Sequence, residues 1–333
     1  MTRWVRIQEP SGVAEARRRA RRYAAGIGLH STQVEHVAIV ATEMGQNVLR
    51  HGGGGQIIVQ PFGPPGGERL LLLGIDHGPG IERLDRMLKD GESSRQSAGT
   101  GLGAMLRLAD RLDIETGSGG TLVSAEFYPK SVNARDAMDD AGLRLSHPRE
   151  RRCGDSIGVR RAGSTSYYLV CDGLGHGVKA AEASAEARTA FLETDASEPA
   201  DMITAMNDAL VGTRGAVASV ARIDREKGTL SFAGVGNITT LMVQGRRAKR
   251  LPVRDGLLGA GRNRPHVEEL SIDEDTTVIM HSDGIATLRG LEDRTSLLHR
   301  SAPIMATRLL SEFTRGRDDA SIIVSRMTPA RTL

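Results

Sequence analysis

Two groups of residues in this 333-residue chain have the types and spacing to do chemistry. In the second half, four acids stand at the ends of apolar or alternating runs: Asp155 in CGDSIGV, Asp172 in YYLVCDGLGHG, Asp283 in TVIMHSDGI and Asp318 in RDDASIIV. Strand ends on one side of a sandwich can bring such groups together. Hard divalent cations prefer carboxylate and carbonyl oxygens, so an all-oxygen cluster suits magnesium or manganese better than zinc. Two such ions about 3.5–4 Å apart can clamp a hydroxide and a phosphoryl oxygen for in-line attack. Taken singly, Asp172-Gly173 and Asp283-Gly284 read equally well as turns. His176, three residues after Gly173, can aid proton transfer, contact phosphate, or simply occupy a turn. Asn237 in GVGNI receives no chemical job from the sequence, and Asp319 is the neighbour most easily confused with Asp318.

The first half carries a different set. Glu43 and Asn47 are four residues apart, so on a helix they project from one face about a turn apart. A carboxylate beside an amide oxygen can activate a nucleophile and hold a magnesium ion; the plainer alternative is a solvated helix face. Asp76 ends an apolar strand in IDHGPGI, where it can accept a hydrogen bond from an adenine amino group or merely close the strand. Gly78 and Gly80 behind it would let a ligand approach the backbone. Gly99-Thr100-Gly101-Leu102-Gly103 opens a helix, whose free N–H groups and dipole favour phosphate. A Rossmann site would need a strand immediately before these glycines, and polar GESSRQSA stands there instead. No GxxxxGK[ST] pattern is present, which removes a Walker-type site.

The elements that must position these residues follow from periodicity. Val13–Leu29 reads as a helix, and Ser31 or Thr32 can cap a second with an apolar face of Val34, Val37, Ala38, Ala41, Met44 and Val48. Strand-like segments follow at 56–62 and 69–76, then a polar stretch at 82–97, a helix from Gly99 to about Leu112, and strands near Ile114 and at 122–128. This outlines an α/β sandwich over residues 1–128. Residues 129–142 are polar with few large apolar side chains and read as a linker. From 143 to 333 the pattern is strand-rich, with helices at 179–192, 200–210 and 303–313, so helices packed on stacked sheets satisfy both periods.

Composition excludes several classes. Lys and Arg total 44 against 41 Asp and Glu, a net +3 too even to imply nucleic acid, and 3% aromatic residues leave little for base stacking. The arginines at 17, 18, 19, 21 and 22 could dock an acidic partner or form a solvated face. Two cysteines, Cys153 and Cys171, are too few for a disulfide scaffold and read as buried thiols. The apolar runs are too short to cross a bilayer and MTRWVRIQEP lacks a signal-peptide core, so the sequence predicts a cytoplasmic protein without membrane contact.

In order, E-x-x-x-N on a helix, D-x-G-x-G-I after a strand, a polar lid and G-T-G-L-G into a helix resemble the GHKL (histidine-kinase-like) ATPase family over residues 13–128. ARRRARRYAAGIGL followed by TEMGQNVLRHGGGGQIIV is similar to its anti-sigma serine-kinase branch in bacterial stress signalling. The resemblance implies ATP with Mg2+: Asn47 on the magnesium, Glu43 as catalytic base, Asp76 on adenine, and Gly99, Gly101 and Gly103 around the phosphates. Residues 143–327, through DGLGHGVKAAEAS, ASVARIDREKGTLSFAGVGNI, SDGI and RDDAS, resemble the SpoIIE-type branch of the PPM metal-dependent serine/threonine phosphatases, an α-β-β-α sandwich. That resemblance implies two Mn2+ or Mg2+ ions, with Asp172 and the Gly173 carbonyl bridging them and Asp155, Asp283 and Asp318 completing the site. Together the resemblances imply a bifunctional partner-switching regulator acting on STAS-domain proteins phosphorylated on Ser/Thr. The alternative is a phosphatase whose first domain senses nucleotide or binds a sigma factor without kinase activity.

Overall fold

The computed structural model describes residues 4–82, 84, 101–134, 137–261 and 265–329. The chain divides into two compact units, one comprising Trp4–Phe62 and Gly66–Ala137, the other Gly63–Pro65 and the chain from Met138 onward. Both are mixed α/β. Among the described residues no helix is long and apolar enough to cross a membrane.

In the first unit, β1 (Val5–Ile7) leads into α1 (Pro10–Gly26) and α2 (Ser31–Arg50), followed by β2 (Gly55–Phe62), β3 (Arg69–Asp76), α3 (Gly101–Leu108), β4 (Arg111–Gly117) and β5 (Gly120–Phe127). The strands form one antiparallel sheet in the order β1-β2-β3-β5-β4. Pro10 starts α1 where its missing N–H costs nothing, and Val13, Ala16, Ala20 and Ala24 recur at helical spacing on the buried side. Arg19 is also buried, whereas Arg17, Arg18 and Arg21 line an open groove with Arg50 of α2. The cap of α2 differs from the sequence reading. His30 takes the place expected of Ser31 or Thr32: its Nδ1 accepts the Thr32 N–H at 3.3 Å while Gln33 Oε1 accepts the His30 N–H at 3.3 Å, a reciprocal box that an imidazole acceptor can close. Val37, Val40, Ala41, Met44 and Val48 then pack with Ile57, Val59, Leu70 and Leu72 of the sheet in one core.

The second unit stacks two antiparallel five-stranded sheets. One is ordered β13-β10-β9-β8-β7 and the other β12-β11-β14-β15-β6. These strands are β6 (Asp140–Leu145), β7 (Asp155–Ala162), β8 (Thr165–Gly173), β9 (Ala216–Asp224), β10 (Thr229–Val235), β11 (Thr239–Gln244), β12 (Arg247–Leu251), β13 (His266–Ser271), β14 (Thr277–His281) and β15 (Ala320–Arg326). Helices α4 (Val178–Glu193) and α5 (Pro199–Ala209) pack on the first sheet through Ala183, Ala187, Phe191, Met202 and Met206. After one helical turn at Thr295–Leu298, α6 (Ala302–Phe313) packs on β15 and β6, completing an α-β-β-α order. Strand β6 takes in Asp140–Gly142, which the polar composition had assigned to the linker. The acids there are interior anchors: fully buried Asp140 accepts from Arg161 at 2.7 Å and Tyr168 Oη at 2.8 Å, and Asp139 Oδ1 accepts the Ala302 N–H at 2.8 Å, at the start of α6. Cys153 and Cys171 are buried free thiols, and burial pushes both thiols up.

Candidate nucleotide and metal sites

Helix α2 carries Glu43 and Asn47 one turn apart toward the first residue of α3. A Cβ added at Gly101 would lie 3.4 Å from Glu43 Oε2 and 3.6 Å from Asn47 Oδ1. Gly101 thus brings the α3 backbone close to the carboxylate and the amide, near enough that a methyl there would touch both. Leu102 and Gly103 follow it, but the Leu102 side chain is buried in the core, so only its backbone is offered to a ligand. Gly99 and Thr100, and all of the 82–97 polar stretch except 82 and 84, lie outside the described residues.

Asp76 stands at the end of β3, almost fully buried. Its Oδ1 accepts the Gly78 N–H at 3.0 Å and the Thr121 N–H at 3.0 Å. Both bonds fall on one oxygen, leaving Oδ2 as an acceptor for a further donor. The glycines behind it have a nearer explanation than ligand access. A Cβ at Gly78 would sit 2.7 Å from the His51 carbonyl oxygen, and Gly80, at φ +83°, has the Gly117 oxygen 2.3 Å from where its Cβ would be. These glycines let the loop pack against the end of α2 and the β4–β5 hairpin.

In the second unit the acids come two from each sheet. Asp155 opens β7 and Asp172 nearly closes β8, and the two are direct register partners. Asp283 lies two residues beyond β14 and Asp318 two residues before β15, the adjacent strands of the other sheet. Ser282 joins the sheets: its hydroxyl donates to Asp155 Oδ2 at 2.6 Å and accepts the Ser321 N–H at 3.0 Å. Asn237 Nδ2 donates to Asp283 Oδ2 at 2.9 Å, which gives that asparagine a positioning contact the sequence did not reveal. Asp319 is buried, with Oδ1 accepting the His147 N–H at 2.8 Å, while Asp318 is exposed and its Oδ1 accepts the Asp319 N–H at 2.9 Å. Gly173 is not a turn residue. It still pairs within β8, and a Cβ there would lie 2.1 Å from the Ala180 carbonyl oxygen of α4. Gly284 is equally constrained by the Asp319 carbonyl oxygen, 1.9 Å from its would-be Cβ.

Electrostatically the cluster is a set of carboxylates held together against their own repulsion. Burial raises the Asp172 pKa above the ordinary carboxylate range, and the charges of Asp155, Asp283, Asp318 and Asp319 raise it further. Asp155, fully buried, is raised first by desolvation, with the Ser282 hydrogen bond opposing. Asp155 Oδ1 and Asp319 Oδ2 are buried without a hydrogen-bond partner. Buried anionic oxygens of this kind are stabilised by a cation, and the donor set is all oxygen. Among the described residues no three His, Cys, Asp or Glu side chains close to the spacing of a shared ion, so the convergence is of strand ends and not of a finished coordination sphere. His176 is exposed beside this end of the sheet, its Nδ1 3.0 Å from Glu150 Oε1 and its ring stacked on His147 at 4.8 Å.

Comparison with known proteins agrees with both halves. Residues 8–127 match the family model of the histidine kinase-like ATPase domain, and residues 163–328 match that of stage II sporulation protein E (SpoIIE). The chain is 28% identical over 122 residues to the serine/threonine-protein kinase RsbT of Bacillus subtilis (strain 168), an alignment covering 36% of this chain and 92% of RsbT. It is 26% identical over 181 residues to the phosphoserine phosphatase RsbX of the same organism, covering 53% and 88%. A solved structure described as belonging to the bacterial stressosome superposes at a TM-score of 0.54 with 27% identity, covering 57% of this chain and all of that one. The crystal structure of RsbX in complex with magnesium shares the fold at a TM-score of 0.50 and 24% identity, covering 56% and 94%. The chain thus joins a domain of the histidine kinase-like ATPase family to a SpoIIE-family domain with the PPM phosphatase fold.

Proposed function

We propose that this protein is a bifunctional partner-switching regulator in which residues 143–333 dephosphorylate a phosphoserine or phosphothreonine protein and residues 1–128 bind ATP and act as a serine kinase. The substrate we assign is a STAS-domain protein, with a sigma factor as a further binding partner. The observation that carries the phosphatase reading is the register pairing of Asp155 with Asp172 beneath Ser282 of the opposite sheet, which leaves a buried carboxylate oxygen without a partner. Asp172 with the Gly173 carbonyl, Asp155, Asp283 and Asp318 would hold two Mn2+ or Mg2+ ions. When bound, such ions supply charge stabilisation at the phosphoryl group and a water acidic enough to attack it. The chain's own residues supply orientation. Ser282 fixes the Asp155 carboxylate, Asn237 fixes that of Asp283, and the buried Asp319 adds negative charge behind Asp172. Glu150 holds Nδ1 of His176, leaving Nε2 to carry a proton to the departing serine oxygen.

In the first domain, Asn47 would hold magnesium, Glu43 would take the proton of the attacking hydroxyl, and Asp76 would use Oδ2 to accept from the adenine amino group. The backbone at 99–103 would receive the phosphates. The presence of Glu43 one helical turn from Asn47, with Gly101 close to both, supports catalysis over nucleotide sensing alone. The test is two assays on the full chain: Mn2+-dependent release of phosphate from a phosphorylated STAS protein, and transfer of the ATP γ-phosphate to its unphosphorylated form. Release without transfer would leave the first domain a nucleotide sensor or sigma-factor-binding module.

A further inference from the structure

Two loops border the Asp172-Gly173 end of the phosphatase sheet, one running from Leu174 into α4 and one from Leu210 into β9. They are tied together: the Leu174 N–H donates to the Gly215 carbonyl at 3.1 Å, and Arg214 Nη1 donates to the Leu174 carbonyl at 3.4 Å. Gly175 and Gly177, at φ +83° and +82°, set the path of the first loop. Among the described residues five large apolar side chains are exposed, and three of them belong here: Leu174 at 53%, Val178 at 52% and Val211 at 69%. A groove of about 540 Å³ beside them is lined by Lys179 and Arg214 together with Glu182 and Glu186, so it carries both signs of charge.

Single exposed apolar residues are ordinary, but three on two hydrogen-bonded loops and the helix start that follows the first of them call for a partner. What covers them follows from their place in the chain. Leu174 is the residue after Gly173, so a phosphoryl group reaching the carboxylates at the end of β8 brings its own flanking residues over this loop. We propose that Leu174, Val178 and Val211 form a docking surface for apolar residues flanking the phosphorylated side chain of a protein substrate. The inference rests on the phosphatase reading and adds the chemistry of the substrate segment to it.

The test uses the full chain with Mn2+ and three probes: p-nitrophenyl phosphate, a phosphoserine decapeptide with Leu and Val on both sides of the phosphoserine, and the same peptide with Gly and Ser there. The apolar-flanked peptide should have a kcat/KM about tenfold above the Gly/Ser-flanked one. Val178→Asp with Val211→Asp should bring the two peptides within about twofold of each other while p-nitrophenyl phosphate turnover stays at the wild-type rate. Equal kcat/KM for both peptides in the wild type, or a preference that survives the double substitution, would overturn the docking surface alone. Absence of p-nitrophenyl phosphate hydrolysis in the wild type would overturn it together with the phosphatase reading.

Discussion

Asp155 and Asp172 oppose each other directly at the ends of two antiparallel strands, and Asp155 is steadied by a hydrogen bond from Ser282 of the other sheet. Directly opposed residues have Cβ atoms about 4.5–5.5 Å apart on one face of a sheet. Burial and mutual repulsion both favour their protonated forms, so the pair is an unfavourable arrangement unless it serves to hold cations.

Replacing one charge should therefore act in opposite directions on activity and on stability. Asp172→Asn is expected to lower phosphatase turnover by more than about a hundredfold, since disturbing even residues that only orient a metal ligand costs about 10–100-fold. In the presence of a chelator the same variant should melt higher, by about 2–4 °C for each kcal/mol of repulsion removed. Calorimetry with and without Mn2+ beside a turnover assay checks both. ATP binding should be unchanged.

Ser282→Ala removes the hydroxyl that bridges Asp155 and the Ser321 N–H. A hydrogen bond to a charged group contributes about 1.5–3 kcal/mol. Urea unfolding should show a loss of that order, and turnover should fall about 10–100-fold because Asp155 is no longer fixed. Ser282→Thr, which keeps the hydroxyl, should recover part of both.

Glu43 and Asn47 should separate by function. Asn47→Ala is expected to remove magnesium-dependent ATP binding, whereas Glu43→Ala should bind ATP and fail to transfer phosphate. Titration calorimetry and a transfer assay distinguish them, and loss of binding in Glu43→Ala would assign Glu43 to the nucleotide and not to the proton.

Gly101→Ala tests this close approach. The added methyl would make ordinary contacts of 3.4–3.7 Å with Glu43 and Asn47, so the fold should persist with its stability within about 1 kcal/mol of the wild type. ATP affinity should nonetheless fall, as measured by titration against the wild type.

Arg69 and Glu126 form an ion pair in the first unit with both side chains buried, and Tyr128 Oη donates to the same Glu126 oxygen at 2.9 Å. Arg69→Ala leaves that carboxylate buried without its cation and should cost about 3–5 kcal/mol in chemical unfolding.

What the sequence showed depended on how far apart the interacting residues lie. Glu43 and Asn47 could be read together because four residues fix one helix face, and the apolar face of α2 was legible for the same reason. The acids at 155, 172, 283 and 318 stood out because each ends a strand pattern. The contacts that orient them did not: Ser282 meets Asp155 across a separation of 127 residues and Asn237 meets Asp283 across 46, so no local spacing signals either. Asp318 and Asp319 are adjacent just before β15, and only the folded structure, through burial of Asp319 and its bond from the His147 N–H, shows which of them is interior. Asp139 and Asp140 read as linker polarity because their partners Ala302, Arg161 and Tyr168 lie far along the chain.

The acid cluster is proposed to act as a divalent-cation-dependent phosphoester hydrolase. Its most direct test is the rate of p-nitrophenyl phosphate hydrolysis by the full chain, stripped with chelator and titrated with Mn2+, with Asp172→Asn measured in parallel. The account predicts a wild-type rate that is negligible without metal and rises to saturation with Mn2+, while the variant stays flat at every concentration. A wild-type rate independent of Mn2+, or a variant that reaches the wild-type rate at saturating metal, would contradict it.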